Sequence, residues 1–187
     1  MTATTLEGGF EAPAYQAASA FRQIMEAMAR PGQIREVAGT APPAPLSVAA
    51  ASVILTLCDT TTPVYLAGAH DTAALRQWIA FHTGAPLSGP GQCAFAIGDW
   101  AALAPLPAYP VGTAEYPDRS ATLIVEMPEL TRTGATLNGP GIRDQITLSL
   151  PDRAAFQMNA AQFPLGLDFI LTCGARLAAL PRSTEVR

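Results

Sequence analysis

No lysine occurs anywhere in the 187 residues; all eleven basic residues are arginine. The chain therefore has no side-chain amine with which to form a Schiff base to a carbonyl substrate or to pyridoxal phosphate. Cysteine is almost as scarce. Cys58, Cys93 and Cys173 are odd in number, far apart and never in a Cys-x-x-Cys pair. That pattern argues against an iron–sulfur, zinc or dithiol centre and fits buried, reduced thiols in a cytoplasm. His70 and His82 are the only histidines, and without a His-x-x-x-His or Cys/His spacing a zinc or iron site is not expected. The sequence thus predicts no cofactor and no bound metal.

Charge is also thin. Only 14% of residues are charged, against about 25% in an average domain. The deficit fits either a subunit with large buried faces or a compositional bias toward alanine. Net charge is −4 and no basic run occurs, which weighs against nucleic acid as a partner, because such binding rests on phosphate neutralisation. Apolar stretches such as Leu46–Leu57 are too short to span a bilayer. The segment Met1–Glu7 lacks the basic region and apolar core of a secretory signal. No membrane partner is expected, and the expected compartment is the cytoplasm.

Against these absences stands a chain that is 49% apolar and long enough to bury one sizeable core. A single domain over residues 1–187 is expected, its first dozen residues an arm with little structure of its own. The spacing predicts a helix over 15–29 with Phe21, Ile24, Met25 and Met28 on one face, stopped by Arg30-Pro31-Gly32. A short extended segment should follow at 33–37. Pro42, Pro43 and Pro45 form a stiff connector, and Ser47 caps a buried helix through Leu57. Residues 63–67 and 93–97 read as strands around a helix over 72–81 that Asp71 caps. Asp99 opens a short turn over 100–103, and 105–117 is an irregular, proline-rich loop. Strands follow at 121–127 and 145–150, then a helix over 153–162 opened by Pro151-Asp152, and strands at 167–173 and 176–180. Alternating strands and helices with extended segments toward the end predict an α/β fold of three αβα layers on a mixed sheet.

The chemistry-bearing residues are sparse. Gly139-Pro140-Gly141 has the glycines of an anion-binding loop, but Pro140 has no N–H and no lysine follows, so a structural turn is the stronger reading. His82 reads as a helix-end or core histidine ahead of a general base, and His70 as part of a surface turn. Neither Ser120 nor Ser183 sits in a Gly-x-Ser-x-Gly elbow. Asp59 suits an Asx turn or a ligand hydroxyl. Asp168, at a strand entrance, suits pairing with an arginine or a partner. Arg30 and Arg182, each beside a proline, and Arg143, just past Gly141, are the anion-binding candidates. Arg22 is spaced to pair with Glu26.

Three late segments carry a family resemblance: Leu137-Asn138-Gly139-Pro140-Gly141-Ile142, Phe163-Pro164-Leu165-Gly166-Leu167-Asp168 and Leu180-Pro181-Arg182-Ser183-Thr184. Three earlier ones extend it in register: Phe21 to Gly32, Leu57 to Tyr65, and Phe81-His82-Thr83-Gly84-Ala85-Pro86. Together they resemble the PhnH subunits of the bacterial carbon–phosphorus lyase system. The resemblance implies a fold similar to the pyridoxal-phosphate-dependent transferases, here without the cofactor lysine. It implies a homodimer that assembles with PhnG, PhnI and PhnJ subunits into a core complex for phosphonate catabolism. That system transfers an alkylphosphonate to the ribose of ATP, displacing adenine, and a radical iron–sulfur subunit then breaks the carbon–phosphorus bond. Neither step is implied for PhnH itself. The expected role is accessory, with no independent activity. The competing reading is a nucleotide- or phosphonate-binding subunit using a degenerate cofactor cleft. Arg30, Asp59, His82, Arg143, Asp168 and Arg182 are the residues to place.

Overall fold

The computed structural model describes residues 6–187. It contains five α-helices and nine strands in the order α1 (Pro13–Ala29), β1 (Arg35–Glu36), α2 (Val48–Leu57), β2 (Val64–Leu66), α3 (Ala73–Thr83), β3 (Phe95–Asp99), α4 (Trp100–Leu103), β4 (Thr122–Glu126), β5 (Ala135–Asn138), β6 (Ile146–Leu148), α5 (Arg153–Ala160), β7 (Asp168–Cys173), β8 (Arg176–Leu180) and β9 (Glu185–Val186). Six strands form a mixed sheet in the order β1-β8-β7-β4-β3-β2. β2, β3, β4 and β7 run parallel; β8 adds antiparallel to β7, and β1 antiparallel to β8. β6, β5 and β9 make a small antiparallel sheet.

Strand alternation divides the core. Ile97, Ile124, Ile170 and Ala179 face one side and pack with α1, α2 and α3. Their neighbours Ala96, Leu123, Val125, Phe169, Leu171 and Ala178 face the other, against Leu103 of α4, Phe156 of α5 and Leu137 and Leu148 of the small sheet. The central strands are covered on both faces, which is why 121–127 reads as a continuous apolar run. α2 is alanine-rich, so its backbone lies close to its neighbours; Val53 and Ile54 are fully buried, each contributing about 1.5–3 kcal/mol.

Helix starts follow the capping chemistry. The Ser47 hydroxyl accepts from Ala50 N at 3.1 Å, Asp99 Oδ1 from Ala102 N at 2.9 Å and Asp152 Oδ1 from Ala155 N at 3.1 Å. The cap of α3 differs from expectation. Thr72, not Asp71, accepts from Leu75 N, at 3.2 Å, because Asp71 forks onto Arg76, with its Oδ2 2.7 Å from Nη2.

Other readings are corrected by packing. On α1 the core takes Ala20, Ile24 and Ala27, leaving Phe21 and Met25 about half exposed. Glu26 pairs with Arg30 and Arg35, both at 3.2 Å, rather than with Arg22. His70 is buried, not in a surface turn, and neither ring nitrogen has a partner among the described residues. Cys58 and Cys93 are buried, but Cys173 is partly exposed. β5 and β9 had no counterpart in the periodicity.

The expected arm at 1–12 falls partly outside the described residues. Residues 7–9 are tied down: Trp78 Nε1 donates to the Glu7 carbonyl at 2.9 Å, and Ala41 N donates to the Gly8 carbonyl at 2.9 Å.

Candidate functional site

Two of the sequence candidates meet. Asp168 opens β7, and Phe169 pairs with Leu180, the last residue of the antiparallel β8. That register brings Arg182, two residues beyond β8, back over Asp168. Asp168 Oδ1 accepts from the Arg182 backbone N at 2.8 Å and from Nε at 3.2 Å, while Oδ2 accepts from Nη2. Arg182 Nη1 donates to the Pro117 carbonyl at 2.6 Å, and Nη2 also reaches the Ser120 hydroxyl. The side chains of Arg182 and Asp168 are 13% and 18% exposed. The guanidinium fork is engaged on every nitrogen, tying residues 117–120 to the start of β7.

The other four lie apart from this pair. Asp59 Oδ1 accepts from Thr61 N at 2.8 Å, the Thr61 hydroxyl at 2.7 Å and the Thr62 hydroxyl at 2.9 Å. This is an Asx turn, and the Thr61 bonds chiefly hold the carboxyl below its ordinary range. His82 ends α3, its ring 4.8 Å from Trp78 and 5.0 Å from Phe81, with Gly9 packed on its face. Arg30 is largely exposed and paired with Glu26. Arg143 is exposed just past Gly141, which abuts the Ala29 carbonyl at the end of α1. Gly141 has φ +82°, a conformation that favours glycine.

In open α/β sheets ligands bind at the carboxyl ends of the parallel strands. Here the acids at those ends serve the scaffold. Asp99 and Glu126 are register partners closing β3 and β4. Asp99 caps α4. Glu126 Oε1 accepts from Ser47 N at 2.7 Å, and Oε2 from the Thr172 hydroxyl at 3.0 Å. Glu126 escaped the sequence reading, because nothing local tells that a strand-end acid meets a helix start 79 residues away.

Three clefts stand out among the described residues. The first, about 520 Å³, lies between α5, Trp100 and residues 104–111. A second, of about 300 Å³, borders the Asp71–Arg76 pair, and a third, of about 490 Å³, lies between α1 and residues 36–39. None of the six sequence candidates lines any of these clefts. Tyr109, Met158 and Trp100 were not singled out as site residues; the only local signal was the proline-rich stretch after Trp100.

Residues 8–187 match the family described as "Bacterial phosphonate metabolism protein (PhnH)". The chain is 41% identical over 189 aligned residues to the "Alpha-D-ribose 1-methylphosphonate 5-triphosphate synthase subunit PhnH" of Rhizobium meliloti (strain 1021), covering 96% of this chain and 94% of that protein. It is 29% identical over 184 residues to the "Putative C-P lyase subunit protein HtxG" of Stutzerimonas stutzeri, covering 95% and 88% respectively. With a match that runs from the segment strapped over Trp78 to the last residue, the chain belongs to the PhnH family of bacterial phosphonate metabolism proteins.

Proposed function

We propose that this chain is an accessory subunit of a carbon–phosphorus lyase core complex, required for moving an alkylphosphonate onto the ribose of ATP but contributing no catalytic group of its own. The observation that carries the reading is the near-full-length similarity to a protein named as a subunit of the ribose 1-methylphosphonate 5-triphosphate synthase. The geometry favours the accessory role. Arg182 is spent on Asp168, Pro117 and Ser120, and Arg30 and Arg143 line none of the three clefts. A nucleotide or phosphonate clamp would need such arginines converging on one space.

The finer parts belong to the same proposal: a cytoplasmic homodimer working with PhnG-, PhnI- and PhnJ-type partners, on a fold related to the pyridoxal-phosphate-dependent transferases. An outward stripe on α1 supports a docking role. Ala14, Ala18, Phe21 and Met25 are exposed and lie along one side of the helix. Aromatic and methionine side chains are the kind enriched at protein interfaces.

Gene deletion and complementation test the reading. Deletion is expected to abolish growth on methylphosphonate as sole phosphorus source and to spare growth on phosphate. The tagged chain should co-purify with the other subunits from cells grown on methylphosphonate. Arg30→Ala, His82→Ala and Arg143→Ala should each restore substantial growth. A variant among these that assembles and melts normally yet supports no growth on phosphonate would place substrate binding or chemistry on this subunit and overturn the accessory role.

A further inference from the structure

The cleft beside Trp100 differs from the other two in being walled by rings and rigid backbone. The Trp100 indole stacks on Phe156 with centroids 5.1 Å apart and planes at 19°. Phe156 meets Phe169 edge-on at 4.7 Å, and both phenyl rings are buried. The indole therefore rests on a fixed floor. The facing wall includes Pro105 and Pro107, whose rings hold the backbone at one φ. Met158 of α5, 66% exposed, stands at the mouth as an adaptable apolar group. A volume of about 520 Å³ lies within the range of about 300–1,000 Å³ usual for small-molecule sites.

Charge decides what such a space admits. No arginine lines the cleft, and its one carboxylate is Asp152, of which Oδ1 already caps α5. The Asn159 amide is spent as well: Nδ2 donates to the Leu167 carbonyl and Oδ1 accepts from Leu167 N, both at 2.8 Å. An anion entering here would lose hydration against apolar walls and meet a carboxylate instead of a counterion. An uncharged flat ring has little hydration to lose and gains contact with the indole.

We propose that the cleft between Trp100, Leu106 and Met158 is a binding site for a planar aromatic ring that carries no negative charge. This goes beyond the accessory role and does not depend on it.

One ring in three charge states tests the site by titration calorimetry of the full chain: quinoline, N-methylquinolinium and quinaldate, which bears a carboxylate. Quinoline or N-methylquinolinium is expected to bind saturably at one site, with quinaldate at least about tenfold weaker. Leu106→Asp should weaken quinoline at least about tenfold, since it sets a second carboxylate in the cleft. Met158→Asp, at the exposed mouth, should weaken quinoline in the same direction without disturbing the fold, while Phe21→Asp on α1 should leave it unchanged. No saturable binding by either uncharged or cationic ring, equal affinity for quinaldate, no loss with Met158→Asp, or an equal loss with Phe21→Asp each overturns the proposal.

Discussion

Asp168 holds Arg182 through both its backbone and its side chain, the Arg182 backbone N at 2.8 Å and Nε at 3.2 Å from the same carboxylate oxygen. The pair sits where β7 begins and β8 has just ended, and the remaining guanidinium nitrogens reach Pro117 and Ser120. One side chain therefore joins three segments that are distant in the sequence.

Arg182→Ala is expected to cost about 3 kcal/mol in urea denaturation, since removing one partner leaves a largely buried charge uncompensated. Arg182→Lys should recover little of this, because an ammonium cannot reproduce the planar fork. A near-native stability together with lost growth on phosphonate would instead make Arg182 a ligand contact.

A glycine series should rank by what a Cβ would meet. At Gly141 it would overlap the Ala29 carbonyl at φ +82°; Gly141→Ala should cost about 1–3 kcal/mol or more. Gly174 has φ +60° with nothing within 4 Å, so Gly174→Ala carries the backbone cost alone, about 1–2 kcal/mol. Gly89 has neither a positive φ nor a near neighbour, and Gly89→Ala should stay within about 0.5 kcal/mol. Thermal melts of the three variants check the order.

The Asp59 carboxyl is held below its ordinary value, first by the Thr61 hydroxyl and backbone and then by the Thr62 hydroxyl. A depressed folded value means that the stabilisation is present above the unfolded aspartate range and is lost as pH falls through the folded value. Asp59→Ala should therefore lower the melting temperature at neutral pH, and the gap from the unmodified chain should close as the acid is titrated below the ordinary carboxylate range. A gap of constant size across that range would show that the turn does not depend on the charged form.

The thiols should react unequally. Burial pushes Cys58 up to about 12 and Cys93 up to about 11, so neither is a thiolate at neutral pH. Cys173 is partly exposed. Iodoacetamide at pH 8 should alkylate Cys173 first, with the other two modified only on unfolding; mass spectrometry of the peptides reads this directly.

Local chemistry made much of the fold legible. Ser47, Asp99 and Asp152 cap the helices that their positions announce, since a cap needs only residues within one turn. The apolar runs at 121–127 and 167–173 announce buried strands because both faces are covered. β5 and β9 were not legible: β5 lies between β6 and β9 and pairs with both, and short strands are defined by partners rather than by their own pattern. His70 looked exposed because Gly68-Ala69-His70-Asp71 has turn composition, yet the turn packs onto β3 and α4.

The site residues divide in the same way. Composition by itself determined that no lysine chemistry is open to this chain, and the six motifs in register pointed to the PhnH family, because both properties reside in residue identities alone. Which arginines are free was decided only by the tertiary structure. Arg182 and Asp168 are 14 residues apart, and their pairing depends on the β7–β8 register. The Trp100 cleft likewise exists only because α5 and the 104–111 segment arrive at the same face of the sheet. A hydrogen bond or a cavity is a relation between segments, and chain order does not specify which segments meet until the core has packed.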